Sequence, residues 1–189
     1  MGLRIHSLGE LPIEAIRGYY VYLLDYGWHE PLGKALKDNF DKMSEMASKN
    51  DAVVMQGTDG CEFEDEVLSW HQINGLPSEE ILPAILITNA HPRQFQSGTF
   101  RVDPQRQIVT ENLILIPLRR VCNSTTEVAV LINKLFMDIQ QKKALPDFDV
   151  AKQIKKGKGR SLVEALILQP NLYGVGVDLH KIRDFLKRG

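Results

Sequence analysis

Cys61 has the clearest chemical potential in this sequence, because a thiolate is a good nucleophile. It follows the turn-forming run 57–60 (GTDG) and begins a helical pattern. At a helix N-terminus, backbone N–H groups and the helix dipole favour the thiolate. The acids that follow oppose ionisation of the thiol by like-charge repulsion; they are Glu62, Glu64, Asp65 and Glu66. Two interpretations stay open, a catalytic thiol and an inert small side chain. Cys122 precedes a helix cap, which indicates a structural thiol.

Polar side chains also follow three predicted strands, in segments 25–30, 56–61 and 89–93. Sites in α/β sheets form outside the carboxyl ends of parallel strands. If the three strands are parallel, these segments converge, and a histidine beside a carboxylate gives acid–base chemistry near neutral pH. If the third strand runs the other way, its loop lies at the far end; ordinary solvated loops are the other interpretation. The predicted binding residues are Asp25, Trp28, His29, Glu30, Asp59, His91 and Arg93.

We predict no metal and no cofactor. The sequence contains no H-E-x-x-H, no paired Cys-x-x-Cys motifs and no EF-hand loop. The turn 57–60 lacks the spacing of phosphate-binding loops, and Asp59 with the acids after it would repel a phosphate.

The stretch 152–160 (KQIKKGKGR) holds five basic residues among nine. It is either a solvated linker or a contact for a polyanion, such as the phosphates of a nucleotide or a nucleic acid. The predicted polyanion residues are Lys155, Lys156, Lys158 and Arg160. No aromatic residue lies among them, so base stacking is not supported.

The elements that would position these residues alternate between strand and helix patterns. Apolar runs predict strands over 18–25, 51–56, 84–89 and 112–118, and apolar spacings of three and four predict helices over 31–49, about 61–74 and 124–143. A hairpin over 100–110, a short helix over 161–168, a strand over 171–178 and a helix over 180–187 complete the prediction. The order favours an α/β sheet with helices on both faces. The predicted domains are a core over 1–143, a basic linker or loop over 144–160, and an α-β-α extension over 161–189 packed on the same domain.

Residues 18–140 resemble the thioredoxin fold in the order and spacing of their elements. The run 81–86 (ILPAIL) is similar to the segment in which a proline, often cis, precedes the third strand of thioredoxin-like proteins. The Cys-x-x-Cys motif of the redox members is absent, and the excursion between the third and fourth strands is longer than usual. The resemblance implies an antiparallel third strand and transfers no activity. A flavodoxin-like, doubly wound sheet is the alternative.

Composition excludes several classes of protein. The chain has 189 residues, a formal net charge of -1, 43% hydrophobic residues and 25% charged residues. These values are ordinary for a globular protein and exclude collagen, a disordered acidic tail and a disulfide mini-protein. They also exclude a surface that is basic throughout, as in many nucleic-acid-binding proteins. Two cysteines, the absence of a signal-peptide pattern and the absence of a membrane-length apolar run predict a cytoplasmic protein without a membrane partner.

Three functions follow as hypotheses. The first is a non-redox, thioredoxin-like binding or scaffold subunit that docks a protein partner or self-associates, with Trp28 and Tyr26 as anchors if they are exposed. The second is a single-cysteine thiol oxidoreductase or redox sensor at Cys61, with Pro83 shaping the site. The third is a nucleotide- or nucleic-acid-binding α/β domain that uses the strand ends and the stretch 152–160. The first is favoured, because no catalytic set is recognisable.

Overall fold

The computed structural model describes residues 1–74, 77–96, 113–155, 166–168 and 177–178. The strands are β1 (Gly2–Ile5), β2 (Tyr19–Leu24), β3 (Ala52–Gly57), β4 (Ile73–Asn74), β5 (Ala84–Thr88), β6 (Leu113–Pro117), β7 (Leu166–Leu168) and β8 (Val177–Asp178). The helices are α1 (Pro31–Asp38), α2 (Phe40–Ser48), α3 (Phe63–Trp70), α4 (Ser78–Ile81), α5 (Pro92–Gln96), α6 (Leu118–Val121), α7 (Thr125–Gln140) and α8 (Asp149–Lys155). None of the helices within these ranges has the length and apolar character that crossing a bilayer requires.

Six strands form one mixed sheet in the order β1-β3-β2-β5-β6-β7, while β4 and β8 pair separately. Strands β1 and β2 are parallel to β3, whereas β5, β6 and β7 each run antiparallel to the preceding strand in that order. The predicted α/β sheet with helices on both faces is confirmed. The flavodoxin-like alternative is wrong, because its strands would be mostly parallel.

The central strand β2 shows why two helical layers are needed. Its sequence YYVYLL is buried along its whole length. Successive side chains of a strand point to opposite faces, so that Tyr19, Val21 and Leu23 enter one core and Tyr20, Tyr22 and Leu24 enter the other. Helices α1, α2, α7 and α8 cover the first core, and α3, α4 and α5 cover the second.

The predicted helix over 31–49 is divided into α1 and α2 at Asn39. The Asn39 side chain donates a hydrogen bond to the Ala35 carbonyl at 2.8 Å. Such local bonding by asparagine competes with regular helix geometry. Pro31 occupies the first helical position as predicted.

The Leu82–Pro83 peptide bond is cis, and Pro83 immediately precedes β5. Because Leu24 pairs with Ala84 in an antiparallel register, Pro83 lies level with Asp25 at the end of β2. The antiparallel β5 and the cis proline both agree with the thioredoxin-like resemblance, which stays a proposal.

The C-terminal quarter departs from the prediction in one of its elements. Residues 166–168 form β7, paired with β6, where a helix was predicted. The paired residues are distant in sequence, as Leu115 with Leu166 shows, so the pairing leaves no local pattern. In the first part of the predicted linker or loop 144–160, Leu145, Phe148 and Val150 are buried in the first core, so residues 145–150 pack on the sheet. Strand β8 covers the end of the predicted strand 171–178. The predicted hairpin over 100–110 and the predicted helix over 180–187 lie outside the described residues.

Candidate functional site

One edge of the main sheet gathers the ends of several connections. Strands β2, β3 and β6 end there and β5 begins there, because Leu24 pairs with Ala84 and Ala84 pairs with Pro117. We call this the Pro83 edge and define it by four segments: the β2–α1 loop (25–30), the β3–α3 loop with the first residues of α3 (58–65), the α4–β5 segment (78–83) and the start of α6 (118–119).

The sheet topology separates the predicted binding residues into two groups. Asp25, Trp28, His29, Glu30 and Asp59 belong to the Pro83 edge. At this edge, the carboxylate of Asp59 lies 3.6 Å from the ammonium group of Lys37, a residue of α1.

The other two predicted residues follow β5 and lie at the opposite edge. The His91 ring Nε2 is 3.1 Å from the Pro12 carbonyl oxygen, and Arg93 Nη2 donates to the Gly9 carbonyl at 2.7 Å. Burial lowers the pKa of His91, and Arg93 lowers it further, while the bond to Pro12 opposes the shift. The His29 and His91 loops therefore do not meet, because β5 is antiparallel to β2; of the two arrangements left open by the sequence, this is the one with the third strand reversed.

Asp25 is the most buried polar residue of the β2–α1 loop, with 6% of its surface exposed. Its carboxyl group lies against Gly33 of α1, and its backbone N–H donates to Glu64 Oε1 at 3.4 Å. Burial raises the pKa of Asp25, as does the charge of Glu30, whereas Arg119 lowers it. Burial also raises the pKa of Glu64, which is 5% exposed. The edge thus holds two adjacent, buried carboxyl groups.

The two aromatic residues of the same loop have different surroundings. Trp28 is 8% exposed and packs in the first core, with a backbone φ of 59° after Gly27 at 79°. The predicted role of Trp28 as a docking anchor required an exposed side chain, and this condition is not met. Tyr26 is 41% exposed, so that its role as an anchor stays a prediction. Two consecutive positive φ values turn the chain so that Trp28 points inward, and nothing in the sequence around it indicates this.

Side-chain hydrogen bonds connect the loops of the Pro83 edge. Arg119 donates to both carboxylate oxygens of Glu30, at 2.9 and 2.6 Å, and to the Glu79 carbonyl at 2.8 Å. The Tyr26 hydroxyl donates to the Asp65 carboxylate, which also accepts a bond from Ser78 Oγ at 3.2 Å.

Sequence reasoning missed Glu64, Asp65, Glu79 and Arg119 as parts of this edge. From the sequence, the acids of α3 are expected only to oppose ionisation of the Cys61 thiol and to repel a phosphate. The one signal for Arg119 in the sequence is its place directly after a predicted apolar strand. Its partner Glu30 is 89 residues away, so the sequence does not indicate the pair.

A shallow groove of about 470 Å³ adjoins the edge between α1 and α7. Five of its seven lining residues are polar, and one of them, His29, is a predicted site residue. The lining residues are His29, Pro31, Lys34, Ala35, Asp38, Asn39 and Thr125.

Cys61 is half-buried in the β3–α3 loop and packs against the second core. Its thiol donates to the Thr58 carbonyl at 2.8 Å, and the Thr58 hydroxyl is 2.5 Å from His6 Nδ1. The hydrogen on sulfur is therefore engaged by a neutral acceptor. Cys122 is also a free thiol, and it is buried as predicted. Burial, with a smaller contribution from Glu127, raises the pKa of Cys122 to about 11.

The remaining predictions concern metals and polyanions. Within the described ranges, no group of three or more histidine, cysteine, aspartate or glutamate residues is arranged to hold a metal ion. Lys155 is the last residue of α8. Lys156, Lys158 and Arg160 lie outside the described residues, so the polyanion site stays a prediction.

Comparisons with protein-family models, with curated proteins and with solved structures found no match to this chain.

Proposed function

We propose that this protein is a non-redox, thioredoxin-like binding subunit that docks a polypeptide, either a partner protein or a second copy of itself, at the Pro83 edge. The observation that carries the proposal is the hydrogen-bonded surface around Tyr26. There an exposed aromatic ring lies in a loop that Arg119 and Asp65 attach to the neighbouring segments. Tyrosine and arginine are enriched among the residues that contribute most to binding at protein interfaces.

Preorganisation supports the same proposal. Ordering flexible side chains on binding costs about 0.5–1.5 kcal/mol for each of them. At the Pro83 edge, Tyr26, Glu30 and Arg119 already hold defined positions through bonds to α3, α4 and each other. A partner that contacts this surface avoids part of that cost.

The thioredoxin-like assignment is part of the proposal and rests on the strand order β3-β2-β5-β6, the antiparallel β5 and the cis proline before it. A cytoplasmic location is proposed with it, because a chain of 189 residues with two cysteines, both free thiols, fits a reducing compartment.

A photo-crosslinking phenylalanine derivative at position 26, which retains an aromatic ring at this place, tests the docking proposal. Crosslinks from this position to a defined peptide of another protein, or of a second copy, support it when the same probe at Met137 gives none. Met137 is exposed on the outer face of α7, outside the Pro83 edge. Tyr26→Ala should weaken the identified complex about tenfold or more, as expected for an interface residue that contributes most of the binding energy. Equal crosslinking from both positions, or none from position 26, would reject the proposal.

The thiol alternative has one observation in its favour, the contact of Cys61 with Thr58 and, through Thr58, with His6. In this alternative, Cys61 is the nucleophile of a single-cysteine oxidoreductase or redox sensor. It requires that Cys61→Ser abolishes a thiol-dependent activity or response that Cys122→Ser retains. Full activity or response in Cys61→Ser would remove it.

A further inference from the structure

One oxygen of the buried Asp25 carboxyl group has no compensating partner in the described parts of the chain, while the Tyr26 backbone N–H donates a hydrogen bond to the group. Among the described residues, no group forms a hydrogen bond with its Oδ2 atom. The space beside this atom is closed, because a methyl group on Gly33 would lie only 1.8 Å from it. One backbone hydrogen bond does not replace the water that a carboxylate loses on burial, so the buried group favours its neutral form.

The charged groups around Asp25 do not correct this imbalance. His29 and Glu30 belong to the same loop, Glu64 faces it from α3, and Arg119 faces it from α6. The Arg119 guanidinium forms two hydrogen bonds with Glu30, so that pair is close to neutral. Glu64 adds a second carboxyl group at the Asp25 backbone. An ionised Asp25 would therefore lie near a second carboxyl group, that of Glu64, and near a cation, Arg119, that is already paired with Glu30.

We propose that the β2–α1 loop is a proton-controlled latch, which is closed while Asp25 is protonated and opens when Asp25 ionises. Opening hydrates the carboxylate and relieves its contact with Glu64. Because Trp28 lies three residues further along the same loop, opening also uncovers its ring. The latch would thus regulate the docking surface, a role that rests on the proposed function, although the opening itself requires no partner.

Trp28 fluorescence tests the latch directly. The chain has two tryptophans, so Trp70→Phe leaves Trp28 as the only one. Between pH 4 and 8.5, we expect acrylamide quenching of Trp28 to increase and its emission to shift to longer wavelength, while far-UV circular dichroism stays constant. If one proton leaves on opening, the ratio of open to closed loop rises by up to about tenfold for each pH unit.

Three further variants identify the titrating group. Asp25→Asn in the same background should stay closed at every pH, because an amide cannot ionise. Glu64→Gln should open less than the parent, since it removes the like charge. Asp41→Asn is the matched control, because Asp41 is a carboxylate with a 90% exposed side chain outside the Pro83 edge; it should behave as the parent does.

A parent protein with no change in quenching over this range would overturn the proposal. So would an Asp25→Asn variant that opens in the same way as the parent. Either result leaves docking at Tyr26 untouched, because crosslinking from position 26 is measured separately.

Discussion

His71 offers a sharp test of how the core responds to acid. The residue follows α3 and is completely buried. Its ring lies between Tyr22 and Phe95, with centroid distances of 5.0 and 4.4 Å. Nδ1 donates to the Val67 carbonyl at 2.7 Å, and the buried Nε2 atom has no hydrogen-bond partner in the part of the chain that the structure describes. Burial lowers the pKa of His71 to about 4, against an ordinary value of 6.5.

This pKa difference makes the free energy of unfolding depend on pH. Between the two values, the unfolded chain binds a proton at His71 and the folded chain does not, so stability falls as pH decreases. The contribution of neutral His71 to the free energy of unfolding is fully present above pH 7 and is lost as the pH falls through 6.5 towards 4. A difference of about 2.5 pKa units corresponds to about 3 kcal/mol in total, of which about 2 kcal/mol is already lost at pH 5.

His71→Phe should remove this pH dependence. Phenylalanine retains an aromatic ring between Tyr22 and Phe95, and the Val67 carbonyl keeps the backbone N–H of residue 71 as a donor at 3.1 Å. From pH 7.5 to 5, the variant should lose about 2 kcal/mol less stability than the wild type. Urea unfolding at both pH values, followed by far-UV circular dichroism, gives this difference directly. His6→Gln is the control, because His6 is exposed and lies outside both the second core and the β2–α1 loop; this variant should lose as much stability as the wild type.

The same loss of stability in His71→Phe as in the wild type would refute this reasoning. The comparison requires equal denaturant slopes at both pH values, since a changed slope would mean that the unfolded or folded state had changed in compactness.

Three other predictions follow from single contacts. Gly33→Ala should lower the free energy of unfolding by about 1–3 kcal/mol in urea titrations, because its methyl group would lie 1.8 Å from Asp25 Oδ2. In native protein at pH 8, Cys122 should react with iodoacetamide more slowly than the half-buried Cys61, as measured by peptide mass, because burial raises the pKa of Cys122 to about 11. Asp138→Ala should cost about 1–3 kcal/mol in the same urea titrations, since its buried carboxylate accepts hydrogen bonds from the partly exposed Lys143 ammonium group and from the Asp149 N–H.

Each of these predictions has a control. In an Asp25→Ala background, Gly33→Ala should have no steric cost, and a persistent cost would contradict the proposed clash. Equal labelling rates for the two cysteines in native protein would contradict the difference in burial. Asp138→Asn should cost less than Asp138→Ala, because an amide oxygen still accepts the Asp149 N–H; equal costs would show that this bond contributes nothing.

The strands of the sheet centre were predictable because burial on both faces leaves a continuous apolar run. This is true of β2, β3, β5 and β6, each of which is buried at every position. The strand β7 was predicted as a helix because Ser161 and Glu164 form a capping pattern before apolar residues. Its pairing with β6 is a long-range interaction, which local propensity does not report.

The candidate site was predictable in its segments and not in its contacts. The polar residues that follow β2 and β3 do meet at one edge, as expected for parallel strands. His91 lies at the opposite edge of the sheet because β5 runs antiparallel to β2. The apolar run of a short strand predicts the strand but not its direction in the sheet. The burial of Trp28 depends on two backbone angles, and the Arg119–Glu30 contact depends on sheet order. Both are products of the assembled fold.

The position of β7 has a consequence for synthesis of the chain. Strand β6 (LILIP) is apolar on both faces, and β7 covers its outer backbone edge. An uncovered apolar edge strand is a template for pairing with other chains. Because β7 lies about fifty residues after β6, a ribosome adding roughly 5–20 residues per second exposes that edge for several seconds in every nascent chain. A truncation before residue 166 would make this exposure permanent and convert a transient aggregation hazard into a lasting one.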